Sequence, residues 1–371
     1  MFRNFDIFAS PDKMEMPKIF DQYHEIARMG DENALEICLD AVKHDGRNLM
    51  CIGDDLKRAF PEICVAAVTN HGDAIKYVPT NMRTYEICMV AVESSGEALA
   101  YIDEDDQTYE MCLAAVKNNG DALEYVNNEY KTYEMCLTAV QEYGWAIIYV
   151  DDDMQLEHPD ICLAAIRNEE HTLKAINREI YSKYPEYAYM LCMVAVAMDG
   201  DTLRYIEDHN QTFDLCMAAV NQNGESLKYV NNAMRSVEIC TFAVKKCGLA
   251  LQWVPSNLRT LEMCMFAVQN DGLALEFVDV EMQLNHVEIC MIAVHQNGLA
   301  LEWVDEHAFT YELCMTAVQQ NGLALKWIHT SKHTAEICSA AIDQNGMAAQ
   351  YLKRPMRAVA YVGRSTAERY R

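Results

Sequence analysis

The chain has 371 residues, of which 51% are hydrophobic, and a formal net charge of −26. Such acidity excludes broad binding to nucleic-acid phosphates or anionic lipid. No apolar run approaches the roughly 20 residues of a bilayer span, and the opening MFRNFDIFASPDKMEM lacks the continuous apolar stretch of a secretory signal.

Residues 1–30 carry no repeat and are expected to form a helical cap region. From there a period sets in, marked by thirteen cysteines: Cys38, Cys64, Cys88, Cys112, Cys136, Cys162, Cys192, Cys216, Cys240, Cys264, Cys290, Cys314 and Cys338. Eight of the twelve intervals are 24 residues, three are 26 and one is 30. Counting from the cysteine, position +3 is alanine in all thirteen units, +4 is Val or Ile in all thirteen, and +8 is glycine in twelve. Self-similarity at a fixed short period is the signature of a tandem array.

The unit at 84–107, TYEICMVAVESSGEALAYIDEDDQ, shows the grammar. Thr84 stands where a hydroxyl can cap the first turn of a helix, and Glu86 stands near its positive end. Ile87, Cys88, Met89, Ala91 and Val92 cover about 200° of the circumference, so neighbours must cover this helix on more than one side. Gly96 is expected at the left-handed stop of the helix. A second helix of about seven residues follows, with Ala98, Leu99, Tyr101 and Ile102, and the DEDDQ segment then loops out. The place of Tyr101 is aromatic in eleven units. So short a helix cannot stand alone in water. Each unit must therefore bury its apolar faces by stacking on the next. The fold class that follows is all-α: an α-solenoid, expected as a right-handed superhelix, over residues 31–352.

The sixth unit, 162–191, is irregular. Glu170 replaces the glycine, Ala175 replaces the aromatic, and six extra residues precede the next cysteine. Its segment INREIYSKYPEYAYM gathers Tyr181, Tyr184, Tyr187 and Tyr189. It reads either as a projecting loop or hinge with tyrosines available as interface anchors, or as a lengthened helix whose tyrosines pack locally. The other longer intervals follow the first, fifth and tenth units, and MQLEHPDICLAAI (154–166) resembles MQLNHVEICMIAV (282–294), as a duplicated five-unit block would.

After the glycine, earlier units carry Asp73, Glu97, Asp121, Asp201 and Glu225, whereas later ones carry Leu249, Leu273, Leu299, Leu323 and Met347. Stacking aligns these into a stripe, which is a binding or self-association surface if partly exposed and core if buried. Residues 353–371 reverse the charge, with Arg364 and Arg369 among six basic residues against Glu368. This basic tail reads as a cap on the last unit, a disordered terminus, or a segment that docks on an acidic edge or reaches nucleic acid.

The string D/E-x-C-x-x-AV-x-x-x-G-x-A-L-x-Y/W-V resembles a family of short helical repeats classed as a domain of unknown function, frequent in giant DNA viruses and present in some bacteria. The resemblance covers roughly residues 31–352. It implies a helical repeat fold and a viral or host-interaction setting, and it carries no catalytic residue to transfer.

The chemistry of the residues points away from catalysis. The cysteines form no C-x-x-C pair, as zinc ribbons and redox motifs require, and read as buried thiols of a reducing compartment. Cys247, in KKCG, is the one in a more polar turn. His158 and His286 occupy N-cap places. No H-E-x-x-H, nucleophile elbow or phosphate loop occurs, and the acidic loops lack EF-hand spacing. The expectation is a non-enzyme without cofactor or metal, cytoplasmic or in the host cytoplasm or virion. It is read as a scaffold for protein partners, basic ones or copies of itself. The alternatives are a structural component that assembles through its ends and an acidic decoy or chaperone for basic proteins.

Overall fold

The computed structural model describes residues 31–352. The expected helical cap, 1–30, and the basic tail, 353–371 with Arg364 and Arg369, lie outside the described residues. Every regular element among the described residues is an α-helix or a 3-10 helix. The chain divides into two compact units, Met1–Leu191 and Cys192–Arg371. The cysteines of repeats 1–6 fall in the first and those of repeats 7–13 in the second. Each unit is an α-solenoid.

Repeat 8 shows why the sequence folds this way. The Thr212 hydroxyl accepts a hydrogen bond from the Leu215 N–H at 3.3 Å, satisfying one of the free donors of the first turn. The helix Phe213–Gln222 runs for ten residues and buries Leu215, Cys216, Ala219 and Val220. It ends at Asn223, whose extended backbone (φ −142°) turns the chain into a second helix, Gly224–Tyr229. That helix is a six-residue 3-10 helix, not the seven-residue helix expected. The tighter winding eclipses residues three apart and sends Ser226, Leu227 and then Val230 inward. Full burial of a Leu or Val stabilises by roughly 1.5–3 kcal/mol. A single repeat has too little core to fold without its neighbours.

The glycine has a different task from the one expected. Ser95, not Gly96, ends its helix, with φ −151°. Gly96 opens the 3-10 helix, and none of the repeat glycines takes a positive φ. What requires glycine is the next repeat. A Cβ on Gly298 would lie 2.5 Å from the Ala317 carbonyl oxygen, and one on Gly224 would lie 2.6 Å from that of Ala243. The invariant alanine and the glycine are thus two halves of one close approach.

An amide side chain six residues after the cysteine locks the same seam. Asn70 Oδ1 accepts from Gly46 N–H at 2.8 Å while its Nδ2 donates to the Lys43 carbonyl at 2.9 Å. Gln296 and Gln320 repeat this double bond one seam after another. A second device is a long polar side chain ahead of most first helices. Gln283 is buried; its Nε2 donates to the carbonyls of Val278 (3.0 Å) and Trp303 (3.1 Å), and its Oε1 accepts from Asp305 N–H and from the Cys290 thiol. Gln107 and Gln211 do the same in their repeats. Arg235 and Arg259 reach the corresponding carbonyl pairs through their guanidinium groups. Lys57, only 5% exposed, reaches the Tyr77 carbonyl.

The longer intervals are absorbed in the connections. A 24-residue interval is closed by a three-residue 3-10 turn such as Glu104–Asp106, the segment expected to loop out. The 26-residue intervals instead hold a one-turn α-helix: Asp54–Ala59, Asp152–Glu157 or Val280–Asn285. In repeat 6 the extra residues form the helix Glu179–Lys183, and the helix that follows, Pro185–Met198, is lengthened to 14 residues. Proline suits its first turn. The tyrosine-rich segment is therefore helical and not an irregular loop. His158 and His286 do stand at N-cap positions, but neither side chain caps its helix.

Candidate interaction surface

Eclipsing in a 3-10 helix puts the residue after the glycine and the residue three further on along one edge. These edge pairs change character along the chain, beside a residue that stays aromatic in most repeats, while the seam beneath them repeats. In repeats 7 and 8 the chain closes on them itself. Repeats 7 and 8 carry Asp201/Arg204 and Glu225/Lys228. Asp201 accepts from the Ser226 hydroxyl at 2.7 Å and from Asn223 Nδ2 at 3.2 Å, and Lys228 Nζ stands 3.3 Å away. Burial opposes its charge, but Ser226, Lys228 and Arg204 together outweigh burial and hold the carboxyl below its usual range.

The same relation recurs in the first unit. Lys174, on the edge of repeat 6, lies over the Trp145 ring on the edge of repeat 5 at 4.7 Å. Lys76 stands 5.3 and 5.4 Å from the rings of Tyr77 and Tyr101. Such contacts contribute about 0.5–1 kcal/mol where solvent reaches them. The Tyr149 hydroxyl donates to Glu124 at 3.3 Å, and burial, with the charges of Asp121 and Glu124, pushes that phenol up to about 12. In two of these contacts, Lys228 on Asp201 and Lys174 on Trp145, the second edge residue of one repeat covers the first edge residue of the repeat before; Lys76 and Glu124 instead meet the aromatic residue of the repeat after.

From repeat 9 onward the edge changes character. The pairs become Leu249/Gln252, Leu273/Glu276, Leu299/Glu302, Leu323/Lys326 and Met347/Gln350, flanked by Trp253, Phe277, Trp303 and Trp327. Leu249, Leu273, Leu299 and Leu323 are half-buried, neither lost in the core nor free in solvent. Trp253 and Trp303 are each 37% exposed and Met347 is 66% exposed. The five side chains are not all buried, so the stripe reaches solvent. Lys326 Nζ stands 4.1 Å over the Trp327 ring. The Trp327 indole N–H is the one buried side-chain polar atom without a hydrogen-bond partner among the described residues.

The tyrosines of the sixth repeat divide. Tyr181 and Tyr187 are half-buried, whereas Tyr184 and Tyr189 are exposed. Burial, with the nearby charge of Asp160, raises the Tyr187 phenol despite Arg167. These tyrosines belong to the first unit and the leucine stripe to the second.

The thirteen in-register cysteines are buried, and none is joined in a disulfide. Burial pushes the thiols of Cys112, Cys136 and Cys216 up to about 11 and that of Cys162 to about 12. They are therefore protonated and unreactive at neutral pH. Cys247 is half-buried, with Glu225 at 3.9 Å from its sulfur. No helix among the described residues is long and apolar enough to cross a membrane.

The bridging side chains were not singled out in the sequence. Their signal was a long polar residue five or seven places before the cysteine, masked because it alternates among Lys, Arg, Gln and His. Glu276 and Glu302 were also missed, because exposed glutamates in an acidic chain attract no notice until the edge is seen.

A profile of the family described as "Domain of unknown function (DUF4116)" matches residues 35–83, 61–107, 84–131, 108–155, 236–283, 260–309 and 286–332. Each window spans about two repeats. No curated protein and no solved structure matches the chain. With more than half of its length inside those windows, the chain belongs to the DUF4116 family of unknown function.

Proposed function

We propose that this chain is a non-enzymatic scaffold for protein–protein interaction, and that the second unit holds its principal docking surface. The observation that carries the reading is the half-buried row Leu249, Leu273, Leu299 and Leu323 beside Trp253 and Trp303, on a frame whose repeats 7 and 8 close the same edge internally. Contiguous apolar surface on a well-packed frame marks an interaction site, and half-exposed tryptophans are the side chains that dominate interface energetics. The viral or virion-associated setting belongs to this proposal through the motif resemblance, and a reducing, cytoplasmic compartment belongs to it through the buried thiols, none of them in a disulfide.

Crosslinking mass spectrometry in the native source tests it. Crosslinks from Lys245, Lys246 and Lys326 to other proteins are expected, and a variant with Leu249, Leu273, Leu299 and Leu323 all changed to Ser should lose them with its helical circular dichroism intact. Retention of the same crosslinks by that variant would overturn the reading.

A second reading, assembly through the ends, has one observation in its favour. A Cβ on Gly346 would meet no described residue within 4 Å, unlike one on any other repeat glycine, so among the described residues nothing stacks on the last repeat. Light scattering separates the two: growth with concentration supports assembly, and a monodisperse monomer supports the scaffold.

A further inference from the structure

We propose that the partner of the leucine edge is a basic, aliphatic segment of another protein, lying along repeats 9–11 with its aliphatic side chains on Leu249, Leu273 and Leu299 and its lysines or arginines on Glu276 and Glu302. This rests on the scaffold reading and gives the partner its chemistry.

The internal comparison carries the argument. In repeats 7 and 8 the edge is closed by the chain itself: Asp201 on one repeat, Lys228 on the next, 3.3 Å apart. Repeat equivalence puts Leu249 where Asp201 stands and Glu276 where Lys228 stands; one repeat later the same two roles fall to Leu273 and Glu302. At each step an anion–cation pair has been exchanged for an aliphatic floor with a carboxylate beside it. Both glutamates are exposed, and neither makes an ion pair among the described residues. The edge therefore offers apolar surface and uncompensated negative charge side by side, on a chain of net charge −26. Neutral or acidic apolar segments would gain the first and be penalised by the second. A segment that alternates aliphatic and cationic side chains satisfies both.

The stacking period adds a register. Packed helices repeat at about 8–10 Å, and a polyproline-type chain advances about 9 Å in three residues. Aliphatic side chains three residues apart thus meet successive leucines, with a cation between them for each glutamate. Lys326 marks the far end of the charged stretch, because a cation continued onto repeat 12 would meet its like.

The test uses the full chain and a fluorescent peptide of four Leu-Lys-Ser units, read by anisotropy. Saturable binding is expected. Binding should weaken at least about tenfold with Leu273→Ser and Leu299→Ser together, and by a similar factor with Glu276→Lys and Glu302→Lys together. The charge-reversed chain should instead take a Leu-Glu-Ser peptide. Glu129→Lys with Glu134→Lys makes the same change in net charge elsewhere and should alter binding less than about threefold.

The proposal is overturned if the basic peptide does not bind, if a Ser-Lys-Ser peptide binds as well, or if the remote charge pair weakens binding as much as the edge pair. The last outcome would mean diffuse attraction to an acidic surface, which added salt abolishes. If the peptide fails while native crosslinks still map to the stripe, the partner chemistry is wrong and the scaffold reading stands. If the crosslinks also miss the stripe, both fall.

Discussion

The seam between repeats and the 3-10 edge above it are separated by only a few residues, yet they vary in opposite ways along the chain. At the seam, glycine faces an alanine carbonyl in repeat after repeat, an amide side chain ties the two together, and a long polar residue spans the carbonyls beneath. On the edge, charged pairs that close on themselves in repeats 7 and 8 give way to leucines from repeat 9 onward. The difference teaches where stability and recognition reside. The frame is held by positions that cannot vary without leaving a buried polar group unsatisfied or forcing backbone atoms together, which leaves the edge free to differ.

Four measurements would break or sharpen that contrast, and the first has the largest reach. Burial holds the thiols of Cys112 and Cys136 near 11 in the folded chain, above their ordinary value. A raised folded pKa means that the stabilisation is fully present below the unfolded thiol's value, about 9, and is lost as pH rises through about 11. Each such thiol then removes up to about 1.4 kcal/mol per pH unit in that window, and the repeats add. Thiolate ultraviolet absorbance should rise only together with the loss of helical circular dichroism. Thiolate appearing in a still-helical chain would show that the cores are open.

Next in size is Gln283→Leu. It leaves the carbonyls of Val278 and Trp303 and the Asp305 N–H without the partner they have, a loss of about 3 kcal/mol that urea denaturation would read. A change below about 1 kcal/mol would mean that water replaces the amide and that the seam is not a fixed device.

Smaller still is Gly298→Ala, at about 2 kcal/mol, because the new Cβ collides with the Ala317 carbonyl oxygen and the backbone must move. Gly346→Ala, where the Cβ meets no described residue, should cost under about 0.5 kcal/mol by the surface-substitution rule. Equal effects of the two changes would remove the close approach as the reason for glycine. The smallest effect belongs to the edge: Leu273→Ser should shift stability by less than about 1 kcal/mol, since the side chain is already half in water. A loss as large as that of Gln283→Leu would make the stripe core and not surface.

The repeat, its caps and its buried faces were legible in the sequence because they depend on period and on local hydroxyl and carboxylate placement, as Thr212 and Asp214 show. The second helix was legible as a helix and not as a 3-10 helix, since six residues carry too little periodicity to separate the two windings. The role of glycine was misread for a clear reason. A glycine after a helix has a familiar local explanation, while the true constraint comes from Ala317 and its equivalents, about twenty residues further along the chain. The leucine stripe was visible as a change of composition, but its half-exposure depends on how neighbouring edges overlap, which no single repeat contains.

The amide clasp also implies an uneven cohesion. Asn70 and Gln320 both accept and donate across their seams, but the equivalent positions after Cys136 and Cys240 are Glu142 and Lys246. A carboxylate can accept and cannot donate; an ammonium donates and cannot accept. Warmed slowly, those two joints would part more readily than the joints an amide holds, so that each unit carries a weak link whose position was written by one charged side chain.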